Sequence, residues 1–309
     1  MDANLPAAVT DTAKHAYARL CTYAELPEWM QDNEYIRAFY RPPTFSYRRC
    51  FASLGYLHNE TGNIYSHGVG VVAFLVLAGI TGHMLYNQGT AGWSDSLVFY
   101  LFIGGAIVCL GLSASFHTLS CHSESVCANW NRCDYVGIVA LIVGSFYPAV
   151  YYGFFCHPVA YVVYLSIITV LGAATVYLCV SKRFATPEYR WFRAGTFIAL
   201  GGSGVIPMIH ALIIYGWQHV VNALSLPWMI TMGGLYIAGA LIYGARIPER
   251  WWPGKFDLFF HSHQIFHLFV VAAAVTHYYG IVRAFRWHHG ADPFCALGGL
   301  LRGAQHTLY

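Results

Sequence analysis

Seven apolar stretches, each long enough at about 20 residues to cross a hydrocarbon core as a helix, dominate this 309-residue chain. They occupy 64–86, 96–118, 134–155, 159–180, 192–215, 223–244 and 259–282, with almost no charge inside. In lipid every backbone polar group must find its partner within the protein, so runs of this length are read as helices. The expected fold is an all-α membrane protein with seven transmembrane helices. Composition agrees: 57% of residues are hydrophobic and 10% charged, too little polar surface for a soluble globule of this size. Gly201, Gly202, Gly204 and Pro207 inside the fifth stretch predict a kink there.

Lys and Arg near span ends are retained on the cytosolic side. With the N-terminus placed inside, fourteen of the seventeen Lys and Arg residues fall on that side, and three, Arg283, Arg286 and Arg302, fall outside. The expected organisation is a cytosolic segment over 1–62, a seven-helix domain over 63–283 and a short outer tail over 284–309. The polar opening "MDANLPAAVTDTAKHAYARL" lacks the pattern of a signal peptide, so the N-terminus is expected to be retained. A net charge of +3 gives no reason to expect a nucleic-acid partner. The lipid bilayer is the expected surrounding.

The nine cysteines include no CxxC pair, and no disulfide framework is read from them. Asn59-Glu60-Thr61 has the form of a glycosylation sequon, but it precedes the first span on the expected cytosolic side and is read as a decoy. Thr61 or Asn63 is read either as a cap for the first helix or as a binding residue.

Chemistry concentrates at one depth. In "FHSHQIFH" His263 and His267 are four apart, so a helix presents both on one face, close enough to share a metal ion. Taken alone, such a pair serves hydrogen bonding as readily as metal binding. His261 projects elsewhere and is read as an interfacial bystander. The second span ends with "LGLSASFHTLSCHS", which sets Ser113 and His117 on one face, and the third begins with "RCDYVGIVALIVG", where Asp134 is the carboxylate at the edge of the apolar run. The alternating topology brings all of these to the same membrane depth. Ionisable groups there are costly unless paired or metal-bound. Three imidazoles form a common catalytic zinc set with one place left for water, and Asp134 could orient that water or hold a ligand. One such trio falls short of the about eight ligands a di-iron lipid hydroxylase needs. His122, His210, His219, His277, His288 and His289 are read as structural.

The runs "YRPPTFSYRRCFASLGYLHNETGNIYSH", "SASFHTLSCHSESV", "CDYVGIVALIVGSFYP" and "FHSHQIFHLFVVAAAVTHYYG" resemble the progestin and adipoQ receptor family, also called the hemolysin III family, in its adiponectin-receptor-like branch. The similarity covers about residues 36 to 282. It implies a cytosolic N-terminus and a zinc ion near the inner leaflet, held by His117, His263 and His267. It also implies that Asp134 is the partner of the zinc-bound water and that Ser113 is a nearby hydroxyl. Ser262 and Gln264 match the family too. Family members are described as receptors for extracellular ligands, regulators of lipid and zinc homeostasis, and ceramidase-like amide hydrolases. The implied partners are a ceramide-like membrane lipid and an extracellular ligand, although the outer tail contains no recognisable ligand-binding module.

Overall fold

The computed structural model describes residues 20–290 apart from 182, 183, 185 and 186. Seven helices long and apolar enough to cross a membrane are present among them. They are Thr61–Asn87, Trp93–Leu119, Glu124–Gly153, Pro158–Val180, a broken fifth made of Arg190–Gly202 and Val205–Tyr215, Leu226–Ala245 and Ser262–His288. No strand forms among the described residues; Cys21 and Tyr40 make an isolated antiparallel bridge in the N-terminal segment. The chain is a multi-pass integral membrane protein. Its outward surface is what lipid requires: Val69, Val72, Val76, Ile80, Val163 and Val170 are all exposed side chains of large apolar residues.

The fifth span breaks where its sequence predicts. Gly201 and Gly202 end one half, Ser203 and Gly204 form the joint, and Pro207, which has no N–H to donate, lies in the first turn of the second half. The ends of several helices depart from the hydropathy limits. The third helix starts at Glu124, ten residues before Asp134, because its first turns carry polar residues that periodicity and hydrogen bonding admit and hydropathy does not. The seventh starts at Ser262 and continues to His288; residues from 291 on lie outside the described residues. A short helix, Trp217–Ala223, fills the connection to the sixth span.

Three expectations need correction. Thr61 and Asn63 do not cap the first helix, because they are its first and third residues and the N-cap position belongs to Glu60. Thr61 Oγ1 instead accepts the backbone N–H of His58 at 2.9 Å. Cys156, in the turn between the third and fourth spans, is disulfide-bonded. His261 is no bystander: it is buried and donates from Nε2 to the carbonyl of Asn59 at 3.2 Å.

Spans two and three pack through glycine. A Cβ on Gly105 would stand 2.6 Å from the carbonyl oxygen of Ala140, and one on Gly137 would stand 2.9 Å from Cα of Cys109. Small residues let two helix backbones approach in lipid, where packing and not hydrophobic exclusion drives association. This close contact fixes the register of His117 against Asp134. Around it Phe74, Phe99, Phe102, Leu110 and Phe285 form the main core.

Candidate metal centre

His117, His263 and His267 converge. Each offers one ring nitrogen, and the three nitrogens lie within 4.8 Å of one another. The rings form a nearly regular triangle, with centroids 4.8 Å apart for His117–His263 and His263–His267 and 4.9 Å for His117–His267. The pair on span seven arises from helical spacing, since residues four apart share a face. His117 reaches them from the last turn of span two.

The trio is held from behind by the start of span one. His117 Nδ1 donates to Glu60 Oε2 at 2.7 Å, and Asn63 Nδ2 donates to the same carboxylate oxygen at 2.6 Å. His267 Nδ1 donates to the carbonyl of Asn63 at 3.2 Å, with Ser66 Oγ 3.3 Å from the same nitrogen. A carboxylate and a carbonyl only accept, so the proton sits on Nδ1 in both rings and leaves Nε2 with its lone pair. Nε2 of His117 is buried and has no hydrogen-bond partner. A buried acceptor without a donor is costly, and this one is aimed at the other two imidazoles. The donor set fits a borderline-soft divalent ion. His67 stacks on His267 with ring centroids 3.5 Å apart and planes 5° from parallel, which fixes that ring's tilt.

Asp134 and Ser113 stand beside the trio. Asp134 lies within electrostatic reach of His117 and has the Ser113 hydroxyl beside it as a hydrogen-bond donor, and Ser113 Oγ is buried. Both line a cavity of about 610 Å³ that His263 and His267 also border. The rest of its wall is mainly apolar, supplied by Phe146, Phe197, Met229 and Ile237, with Gly201 and Gly204 of the broken fifth span at one side. It reaches His277, ten residues along span seven from His267 and so roughly 15 Å deeper. His277 itself donates from Nε2 to the carbonyl of Ser145 at 2.9 Å, a structural bond.

Ser262 and Gln264 position the helix that carries His263 and His267. Buried Glu249 accepts from the backbone N–H of Ser262 at 2.7 Å and from its hydroxyl, placing a negative charge at the positive end of the helix. Gln264 accepts from the N–H of Phe260 at 2.7 Å and donates to the carbonyls of Leu258 and Asn59. On the other side, the buried guanidinium of Arg41 donates to the carbonyls of His117 and Thr118. Carbonyls in the last turn of a helix have no partner within it, and Arg41 supplies one.

A family model described as Haemolysin-III related matches residues 55–278. The chain is 47% identical over 264 residues to an adiponectin receptor protein of Drosophila melanogaster, an alignment covering 85% of this chain and 59% of the relative. It is 44% identical over 263 residues to progestin and adipoQ receptor-like protein 1 of Caenorhabditis elegans, covering 85% and 60%. To the ADIPOR-like receptor IZH2 of Saccharomyces cerevisiae it is 38% identical over 277 residues, covering 90% and 87%. The chain thus spans about three-fifths of the fly and worm relatives and most of the yeast one. Seven spans, a motif series running from Tyr40 to Gly280 and a matched region of this extent lead to one assignment: the chain belongs to the Haemolysin-III related family, which includes adiponectin-receptor-like proteins.

Proposed function

We propose that this protein holds one zinc ion through His117, His263 and His267, and that it is a receptor-like membrane protein whose metal site hydrolyses the amide bond of a ceramide-like lipid. The observation that carries this reading is that His263 and His267 of the trio, together with Asp134 and Ser113, line a deep apolar cavity, with His117 beside them. A cavity of this size and mainly apolar wall suits a ligand with a long hydrocarbon part. With the N-terminus in the cytosol, as the charge asymmetry favours, the reacting end lies near the inner leaflet.

Bound there, zinc would supply Lewis acidity toward the amide carbonyl and acidify a water molecule. The chain's own residues supply the remainder. Asp134 accepts the proton released by the attacking water and returns it to the departing nitrogen, so that amide plus water gives fatty acid plus amine. Ser113, whose buried hydroxyl stands beside Asp134, donates to the lipid's polar head. The phenylalanine and methionine walls keep the acyl chain dry. Purified protein given ceramide is expected to release fatty acid, and Asp134→Ala is expected to abolish turnover while zinc is retained. Turnover that persists in the His117→Ala, His263→Ala double variant overturns the reading.

A second reading is supported by the Glu60 and Asn63 contacts, which tie two of the three histidines to span one. Here zinc is structural, joining spans one, two and seven, and the protein answers an extracellular ligand, as the receptor names of its relatives suggest. Chelation then lowers stability, and no lipid turnover rises above a zinc-free control.

A further inference from the structure

Two cysteines outside the metal centre meet beneath it. Cys50 belongs to the short helix Tyr47–Ala52 of the N-terminal segment, and Cys121 lies just past the end of span two, four residues after His117. Both are free thiols, and both are buried. Their sulfur atoms are 3.7 Å apart. Leu119 completes the buried cluster, with Met30, Val126 and Trp130 packed around it.

The backbones are already aligned for a bond between these sulfurs. Thr44 N–H donates to the carbonyl of Cys121 at 2.8 Å, and Phe45 N–H donates to that of His122 at 2.9 Å, so the two segments are held side by side. A disulfide needs about 2.0 Å between sulfurs, so closure asks for a shift of less than about 2 Å.

The two sulfurs are also chemically unequal. The Cys121 thiol donates to Cys50, which outweighs burial and, with the Thr44 hydroxyl and the Arg41 charge, draws the Cys50 thiol down to about 6. The same hydrogen bond, followed by burial, pushes Cys121 up. One sulfur is therefore poised as thiolate while its neighbour keeps the proton. A thiolate is the nucleophile toward peroxides, and an adjacent thiol resolves the product.

We propose that Cys50 and Cys121 form a reversible oxidisable dithiol that staples the N-terminal segment to the metal-bearing end of span two. The oxidant is of the peroxide class. The Cys50 thiolate attacks a peroxide oxygen and the O–O bond breaks, giving a sulfenic acid and, after proton uptake, one water from hydrogen peroxide. Cys121 sulfur then attacks Cys50 sulfur, the S–S bond forms, and the sulfenic oxygen leaves with the thiol proton as a second water. Two thiols and one hydrogen peroxide thus give one disulfide and two waters. The staple communicates with the metal site through a continuous path. Ser53 Oγ donates to the carbonyl of Cys50, Arg41 donates to Ser53 Oγ, and Arg41 also donates to the carbonyl of His117.

The test uses the full chain in lipid nanodiscs, treated with hydrogen peroxide, alkylated under denaturing conditions and digested for mass spectrometry. The expected result is one peptide pair joined through Cys50 and Cys121, lost on treatment with dithiothreitol. In Cys121→Ser the same treatment is expected to leave Cys50 as a sulfenic acid that dimedone traps. The crosslinking rate is expected to rise with a midpoint below pH 8, against about 8.5 for an ordinary thiol. If that variant fails to fold, the wild-type crosslink decides alone. A pair that stays reduced while the other free cysteines oxidise overturns the proposal, as does a Cys50 that oxidises no faster than the buried Cys109.

Discussion

At the scale of single residues, Glu60 matters more than its place in the chain suggests. Its carboxylate fixes the proton of His117 on Nδ1 and turns Nε2 toward the other two imidazoles. Removing such a partner from a metal-binding histidine costs about 10- to 100-fold in metal affinity. Glu60→Ala is therefore expected to weaken zinc binding by that factor in a chelator competition, while Glu60→Gln, which still accepts from Nδ1, should lose less. Equal affinity in Glu60→Ala and wild type would show that His117 is oriented by something else. The residue was missed in the sequence because its meaning depends on a contact across 57 positions, and its immediate neighbours offered a sequon reading instead. Asn59 of that sequon is buried, with its amide on Glu60, so the triplet is structural. By contrast His263 and His267 were legible because a four-residue spacing on a helix is a geometric statement complete in itself.

At the scale of elements, the contact between spans two and three sets the distance between His117 and Asp134. Replacing Gly105 by leucine drives a side chain into the Ala140 carbonyl, which backbone cannot yield without separating the helices. Overpacking of this kind costs about 1–3 kcal/mol. Gly105→Leu is expected to lower the thermal midpoint and to reduce lipid turnover even where zinc remains bound. Gly104→Leu is its control, since a Cβ there meets nothing within 4 Å. An equal loss in both variants would remove the helix contact as the cause. Hydropathy found these helices but not their ends. It placed the start of span three at Asp134, whereas the hydrogen-bonded helix begins at Glu124 and carries Asn129 and Arg132 outside the apolar run. The break in span five was readable because glycine and proline act locally. The helix Trp217–Ala223 was not, since it is short and its Gln218, His219 and Asn222 read as a polar loop.

Across the whole molecule, the histidine trio joins three parts of the chain that sequence order keeps apart. His117 closes span two, the His263–His267 pair opens span seven, and both are braced by Glu60 and Asn63 at the start of span one. An ion bound by the folded chain and not by the unfolded one stabilises it by about 4 kcal/mol when free metal is 1,000 times its dissociation constant. Stripping zinc with a membrane-permeant chelator is thus expected to lower the thermal midpoint by several degrees, and restoring zinc should recover it. Asp134→Ala keeps all three ligands and should show the same chelator response as wild type. His263→Ala should show almost none. These variants separate the metal's two roles, because a catalytic reading needs Asp134 for turnover while a structural one needs only the histidines for stability. A chelator shift of equal size in wild type and His263→Ala would mean that the ion holding the bundle together is bound somewhere other than this trio.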